Sequence, residues 1–157
     1  MIETIPLPTT DDPVDRAFWQ GCMDGRLLVQ NCNDCGHVQH PPRAMCPACQ
    51  SMELGWKQTS GKGTVWSYTM PHPPLLPAFT EIGPYIVAVV EPDDFPGLRI
   101  VGALSNPEGD SIGGIDPDAV RIGTPVRLTF VQLAEDVALP CWFPAGAGIP
   151  PEKEMQQ

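Results

Sequence analysis

The chain has few basic residues. Nine lysines and arginines stand against 19 aspartates and glutamates, which gives a formal charge of −10. Nucleic-acid binding draws much of its affinity from Lys and Arg side chains that neutralise phosphates, and anionic membrane surfaces attract basic segments in the same way. The composition therefore predicts a protein with no nucleic-acid partner and no membrane partner.

Long apolar runs are also absent. No stretch approaches the ~20 residues that a membrane-spanning helix needs. The first fifteen residues are acidic and lack the apolar segment of a secretory signal peptide. We therefore expect a soluble, cytoplasmic protein.

Familiar catalytic motifs are missing as well, since neither G-x-S-x-G nor G-x-G-x-x-G occurs. Residues 55–63 look like a phosphate-binding P-loop, but five residues separate the first two glycines and Gly63 stands where Ser or Thr is required. We expect residues 60–63 to form a turn instead. The acidic pairs 93/94 and 116/118 lie among prolines and glycines, where Asp is a favoured turn residue. The sequence does not look like an enzyme that is catalytic alone.

Proline and glycine, by contrast, are abundant, at 20 and 15 of the 157 residues. Proline lacks the amide donor and breaks helix interiors, so a mostly helical protein is excluded. The hydrophobic fraction of 42% is enough for one ordinary core. Five β-rich segments separated by turn signals favour a small closed barrel such as an OB-fold. The predicted strands are 63–70, 85–91, 99–105, 125–132 and 139–143, with a hairpin turn at 92–97 and a long loop at 106–122.

One helix is predicted near the N-terminus. Asp12 can cap its beginning, and Gly25 can end it. Val14, Phe18 and Cys22 recur at four-residue spacing and form a short apolar stripe. This pattern predicts a helix that buries one face.

Four of the six cysteines form two C-x-x-C pairs separated by ten residues: Cys32, Cys35, Cys46 and Cys49. Two such turns can place four thiolates in tetrahedral geometry, which suits Zn²⁺. Iron is the alternative, because tetrahedral sulfur sites hold either metal. A site closed by four protein ligands leaves no position for water or substrate, so the predicted role of the metal is structural.

The remaining cysteines and the histidines have simpler interpretations. His37 and His40 lie between the two pairs, but four cysteines already complete a site, and we expect both to be surface histidines. Cys22 and Cys141 lie in apolar stretches and are predicted to pack in the core. Two disulfides would be an alternative for the paired cysteines, which a cytoplasmic location disfavours. His72, beside a proline-rich loop, is expected to be structural rather than catalytic.

The order of these motifs resembles a family of acyl-CoA-associated proteins, domain-of-unknown-function family thirty-five. In this family a rubredoxin-like zinc ribbon precedes an OB-fold. The resemblance covers about residues 13–145. The matching segments are Phe18-Trp19, Gly25-Arg-Leu27, Cys32-x-x-Cys35-Gly36, Pro41-Pro42-Arg43, Cys46-Pro47-x-Cys49, Trp56, Ser60-Gly61-x-Gly63-x-Val65, Pro84-Tyr85-x-Val87-Ala88-x-Val90, Ile122-Gly123-x-Pro-Val126 and Leu139-Pro140-x-Trp142-Phe143-Pro144.

The resemblance implies a non-catalytic subunit that binds and stabilises a thiolase-superfamily partner in a hetero-oligomer and helps to form its CoA site. The implied partner is a thiolase, an acyltransferase or a retro-aldolase acting on acyl-CoA, including in steroid side-chain or lipid degradation. The resemblance also implies a hydratase as a further member of the assembly. Catalytic residues would then lie on the partner, in agreement with the motifs missing here.

The surface that would meet this partner is predicted from side-chain type. Buried Trp and Arg dominate many interfaces, although Trp66 and Trp142 alternate within predicted strands and are expected in the core. Six cations are candidates to meet a CoA phosphate, and the sequence does not rank them: Arg43, Lys57, Lys62, Arg99, Arg121 and Arg127. The predicted partner-contact residues are Phe18, Trp19, Arg43 and His72.

These expectations define a mainly β chain with four parts: an N-terminal arm and helix (1–25), a zinc ribbon (26–58), a five-stranded OB-fold barrel (59–145) and a mobile tail (146–157). The alternative function is a rubredoxin-type iron electron carrier. The helix and the barrel count against it, because electron transfer needs little beyond the ribbon.

Overall fold

The computed structural model describes residues 5–146, and the predicted tail beyond Gly146 lies outside them. The fold is mainly β, with a short N-terminal helix, a ribbon and an OB-fold domain, as predicted. Two helices and eight strands follow in the order α1 (Arg16–Met23), β1 (Leu28–Cys32), β2 (Val38–Gln39), β3 (Leu54–Gln58), β4 (Lys62–Thr69), α2 (Pro77–Ile82), β5 (Val87–Pro92), β6 (Ile100–Ala103), β7 (Pro125–Ala134) and β8 (Val137–Pro144).

Helix α1 begins later than the sequence indicated. Asp12 was the predicted cap, but its carboxylate accepts the Val14 N–H at 2.8 Å and closes a turn ahead of the helix. Asp15 occupies the cap position instead. Gly25 follows the helix with φ +71°, a left-handed conformation that favours glycine. The predicted end of the helix is therefore confirmed. The regular helix begins three residues after the predicted cap, but Asp12 does cap the turn that leads into it, since its carbonyl also accepts the Arg16 N–H at 2.8 Å.

The ribbon is an antiparallel sheet in the order β2-β1-β3. Gln30, at its centre, is buried and pairs in register with Gln39 on one side and Trp56 on the other. The Gln30 side chain accepts a hydrogen bond from the Gln39 amide and another from the Arg43 backbone N–H. These bonds tie the loop after β2 to the middle strand.

The barrel sheet has the order β6-β5-β4-β7-β8, with every pair antiparallel. A parallel bridge between Leu104 and Trp142 closes it, and the Ser105 N–H donates to the Trp142 carbonyl at 2.9 Å. Closure removes free sheet edges. The five predicted strands are confirmed as β4 to β8, with no end shifted by more than two residues.

Trp66 is the clearest correction to the predicted core. The register of β4 against β5 shifts between Val65 and Ser67, so Trp66 occupies a bulge. A bulge interrupts the alternation of faces along a strand, and Trp66 is 54% exposed. The Arg99 guanidinium lies 4.6 Å from its ring centroid. Trp142, on unbroken β8, is fully buried as predicted.

Two short elements were not predicted. Helix α2 begins at Pro77, where a missing N–H costs nothing because the first amides of a helix are unpaired. The loop before β7 contains a short 3₁₀ turn at Pro117–Ala119, and the Asp116 carboxylate accepts the Asp118 N–H there at 2.9 Å. The expectation that these aspartates serve the turn is borne out.

One apolar core joins the helix and ribbon to the barrel. Phe18, Cys22 and Val29 are buried in the same cluster as barrel side chains. Cys22 and Cys141 are both buried, as predicted, and burial raises the pKa of each thiol to about 12. Within residues 5–146 neither helix is long and apolar enough to cross a membrane.

Candidate metal centre and neighbouring clefts

Two turns of the same design present the four paired cysteines. In the first, the Cys32 N–H donates to the His37 carbonyl, and the Gly36 N–H donates to the Cys32 carbonyl. In the second, Cys46 makes the same two bonds with Ser51 and Gln50. The residue four positions after the first cysteine has a left-handed φ in both, +76° at Gly36 and +63° at Gln50. Sequence reasoning found the glycine but missed Gln50, which no glycine marks.

The four sulfurs converge, as the spacing predicted. All lie within 4.8 Å of one another, with 3.5 Å between the Sγ atoms of Cys32 and Cys49 and 3.7 Å between those of Cys35 and Cys46. Tetrahedral zinc with Zn–S of about 2.3 Å requires S···S edges of roughly 3.8 Å. The residues therefore fit a four-coordinate metal, and the four thiolates would hold it without another ligand.

A backbone hydrogen bond favours the thiolate form of one of these cysteines. The Cys35 backbone N–H lowers the pKa of the Cys32 thiol to about 7. The thiolate is the form of cysteine that binds metal. Cys32 and Cys46 are buried, whereas Cys35 and Cys49 are exposed, so the metal centre lies at the protein surface with one side inward.

The two histidines between the cysteine pairs lie outside the sulfur cluster. His37 is exposed, as expected. His40 is not a surface histidine, because its ring packs 5.4 Å from the Phe18 ring and burial lowers its pKa to about 4. The sequence interpretation of His40 as exposed is therefore wrong, and the reason is the apolar face of α1 above it.

The predicted partner-contact residues are divided among three places. Phe18 is only 6% exposed and supports Trp19, whose ring lies 5.0 Å away at 81°. Arg43 is exposed beside the ribbon. His72 lines an apolar cavity of about 490 Å³ in the loop before α2, together with Phe79. The structure brings the first two residues together and places the other two elsewhere.

Trp19 also lines a cleft of about 280 Å³ between α1, the loop after β2 and the β6–β8 side of the barrel, which we call the helix cleft. Asp15 and His40 line it too. One polar atom of each is fully buried without a hydrogen-bond partner in the described part of the chain: Asp15 Oδ1, Trp19 Nε1 and His40 Nδ1. Buried polar groups are nearly always paired, in some cases with ordered water, so the wall of this cleft suits enclosed water molecules. Sequence reasoning missed Asp15 and His40 here, and only the four-residue spacing of Asp15 and Trp19 could have linked two of the three.

The structure separates the six candidate cations. Arg99 forms an ion pair with Glu91, and Arg121 lies 3.5 Å from Asp118. Lys62 lies opposite Arg127 in the register of β4 and β7, and both line a third cleft, of about 700 Å³. The two remaining candidates, Arg43 and Lys57, are exposed.

Comparison with known families matches most of the described chain. Residues 19–54 match the family described as "ChsH2, rubredoxin-like zinc ribbon domain", and residues 56–131 match "ChsH2, C-terminal OB-fold domain".

Curated relatives include two hydratase subunits. The chain is 37% identical to a probable enoyl-CoA hydratase alpha subunit of Thermomonospora curvata and 34% identical to a 3-oxo-4,17-pregnadiene-20-carboxyl-CoA hydratase alpha subunit of Mycobacterium tuberculosis. These matches cover 83% and 81% of the chain, but only 38% and 36% of the relatives. The chain thus spans little more than a third of their length.

A third relative has similar size. A DUF35 domain-containing scaffold protein of Methanothermobacter thermautotrophicus is 33% identical over 70% of this chain and 75% of its own length.

Two solved structures share the fold. A chain of the Ltp2-ChsH2(DUF35) aldolase aligns with a TM-score of 0.74 and 32% identity, over 88% of this chain and 99% of its own. A DUF35 protein of Sulfolobus solfataricus aligns with a TM-score of 0.53 and 15% identity over 85% and 86%, which shows the fold alone. With the ribbon, the barrel and these relatives in agreement, the chain belongs to the ChsH2/DUF35 family.

Proposed function

We propose that this protein is a non-catalytic scaffold subunit that binds and stabilises a thiolase-superfamily partner and helps to form the partner's CoA site. The observation that carries the proposal is the 32% identity over 99% of a chain from the Ltp2-ChsH2(DUF35) aldolase. That likeness favours a retro-aldolase partner over a thiolase or an acyltransferase.

The substrate class follows from the relatives' names. One relative is the alpha subunit of a hydratase for a steroid carboxyl-CoA. The partner therefore acts on an acyl-CoA of steroid or lipid side-chain degradation, and a hydratase supplies its substrate within the same assembly. None of the six cysteines forms a disulfide in residues 5–146, which suits the cytoplasm, where thiols stay reduced.

The chain's own groups support a role outside catalysis. Cys22 and Cys141 are buried thiols whose pKa burial raises to about 12, so they are poor nucleophiles. His40 is half-buried and neutral near pH 7, and among the described residues no histidine side chain accepts a hydrogen bond from a Ser or Cys neighbour. The chemistry is therefore assigned to the partner.

The metal is proposed to be zinc. Four thiolates close the site, so the metal supplies folding energy to the ribbon and takes no part in the reaction. The same tetrahedral sulfurs accept iron. Metal analysis and the visible spectrum of protein purified without added metal distinguish the two, and a red protein with thiolate-to-iron absorbance would support the electron-carrier alternative.

Two surfaces are proposed to meet the partner. The helix cleft offers an exposed part of Trp19 beside three buried polar atoms that have no partner in the described chain. The cavity of the loop before α2 offers an apolar wall with His72 and Phe79, next to Leu76, which is 57% exposed. A partner that covered both would bury the exposed part of Trp19 and the apolar wall beside His72 and Phe79.

Co-expression with a thiolase-like aldolase encoded beside this chain tests the proposal. We expect a hetero-oligomer on size-exclusion chromatography with light scattering, and a partner that is unstable or inactive alone. Trp19→Ala should weaken the complex, whereas Trp66→Ala, which truncates an exposed tryptophan elsewhere, should not. A partner that is fully active and stable alone, with no complex formed, would contradict the proposal.

A further inference from the structure

Lys62 and Arg127 form an unusual pair on the barrel. They are direct register partners between β4 and β7, so both side chains project from the same face of the sheet. Like charges in such positions repel each other and destabilise the strand pair. The chain has 19 acidic residues and only 9 basic ones, so two cations brought face to face are not a result of abundance.

Neither cation is neutralised within residues 5–146. No carboxylate of that part of the chain lies within 4 Å of the Lys62 amine or the Arg127 guanidinium. Asp94, on the neighbouring hairpin turn, accepts the Ser60 N–H at 2.7 Å. Lys62 is exposed and Arg127 half-buried, so an incoming anion can reach both.

Both cations line the third cleft, of about 700 Å³, at the seam where the chain leaves the ribbon and enters the barrel. Thr59 and Ser60 line the same cleft. The Thr59 hydroxyl accepts the Gly61 N–H at 3.3 Å, and the Ser60 hydroxyl accepts the Lys62 N–H at 3.4 Å. Each hydroxyl therefore keeps its own hydrogen to donate.

We propose that Lys62 and Arg127, with the hydroxyls of Thr59 and Ser60, bind a phosphate group of a CoA-type ligand. Charge-assisted donors of this kind are the strong hydrogen bonds to phosphate, and the Arg guanidinium can make two of them in parallel. Bound phosphate converts the repulsion between the two cations into a shared attraction. The inference rests on the proposed function, because it names the groups through which this chain contributes to a CoA site.

The test uses the full chain, the variants Lys62→Met and Arg127→Met, the double variant that combines them, and Arg16→Met as a control that removes an exposed cation outside the cleft. Binding is measured by calorimetric titration with CoA, 3′-dephospho-CoA, pantetheine and inorganic phosphate. Each cleft variant should weaken CoA binding about fivefold or more, because each removes a charge-assisted contact. The control should leave it unchanged, and added salt should weaken binding of CoA to the native chain.

The ligand series identifies the source of the phosphate. If the native chain binds 3′-dephospho-CoA as weakly as the cleft variants bind CoA, the site holds the ribose phosphate. If it binds 3′-dephospho-CoA as tightly as CoA, the site holds the diphosphate. Inorganic phosphate bound as tightly as CoA would assign the site to free phosphate. The first two results support the proposal, whereas the third would leave a phosphate site but overturn its assignment to a CoA-type ligand. Pantetheine bound as tightly as CoA, or CoA affinity unchanged in the double variant, or no CoA binding by the native chain, overturns the proposal.

A second readout separates binding from folding. Without ligand, each cleft variant should raise the melting temperature by about 1–3 °C, because it removes the repulsion. A lower melting temperature together with lost binding would show that the cations stabilise the barrel, which also overturns the proposal. Complex formation with the aldolase partner should survive in the double variant, so failure of this site and failure of the scaffold role are distinguishable.

Discussion

The ribbon and the barrel fold around different kinds of centre. Between residues 28 and 58 the buried apolar side chains are few, and most of the cysteine turns is exposed. The barrel encloses a full apolar core. Its buried members include Val65, Ile86, Ala88, Val90, Ile100, Leu104, Val120, Val126 and Trp142.

This difference indicates where the stability of each region comes from. The four sulfurs of the ribbon meet at distances suited to a metal, and in such sites the free energy of metal binding is free energy of folding. The barrel has its own closed sheet and core, so it depends on packing. Helix α1 and the start of β1 share that core, which makes them part of the barrel side of the comparison.

The largest effect should follow from Cys46→Ser. Cys46 is a fully buried member of the sulfur cluster, and structural zinc contributes about 10–16 kcal/mol of apparent binding free energy in small zinc domains. We expect loss of the metal and an unfolded or insoluble ribbon. Metal content and circular dichroism measure this.

Cys22→Ala is the matched control, because it removes a buried thiol outside the cluster. It should keep one metal per chain. A metal-free Cys46→Ser protein with native melting temperature would show that the ribbon folds without its metal.

Trp142→Ala should have the next largest effect on stability, and this effect concerns the barrel. Trp142 is fully buried on β8 and participates in the bridge that closes the barrel. Truncation of such a side chain costs about 3–5 kcal/mol, measured by denaturant unfolding, while the metal stays bound. Trp66→Ala should cost less than about 1 kcal/mol, since Trp66 is 54% exposed. Equal losses of unfolding free energy in the two variants would mean that Trp66 is packed as well as Trp142, which contradicts the exposure that the bulge gives it.

A smaller effect concerns the helix cleft and depends on pH. Burial lowers the pKa of His40 to about 4, from 6.5. Because the unfolded chain binds the proton first, stability is fully present above pH 6.5 and is lost as the pH falls towards 4. Asp15 and Cys141 are the titratable groups that line the same cleft.

Between pH 7.5 and 4.5 we expect the native chain to lose about 2 kcal/mol more than His40→Asn. Chemical denaturation at several pH values measures this difference, in which acid effects on the metal centre cancel. His37→Asn, at an exposed position, should follow the native chain. If the native chain and His40→Asn lose the same unfolding free energy as the pH falls, the pKa of His40 is not lowered by its burial in the helix cleft.

Local signals in the sequence predicted much of this architecture. The C-x-x-C spacing predicted the convergence of four sulfurs, and alternating apolar residues with turn signals predicted the five barrel strands. Gly25 ended α1 where expected, because a left-handed residue after a helix has a strong sequence signal. These features depend on neighbours within a few residues.

Features that depend on pairing between distant segments were not predicted from the sequence. The bulge that exposes Trp66 exists only against β5, and the opposition of Lys62 and Arg127 exists only in the register of β4 and β7. His40 is half-buried because Phe18 of α1 packs against its ring. Gln50 adopts a left-handed φ that its residue type does not announce.

Amide hydrogen exchange, recorded residue by residue before and after the metal is removed with a chelator, tests the central comparison most directly. The account predicts that amides of the cysteine turns, such as those of Gly36 and Gln50, lose their protection while β4 to β8 keep theirs. Simultaneous loss of protection in both regions, or unchanged protection in the ribbon, would contradict the conclusion that a metal folds one region and an apolar core the other.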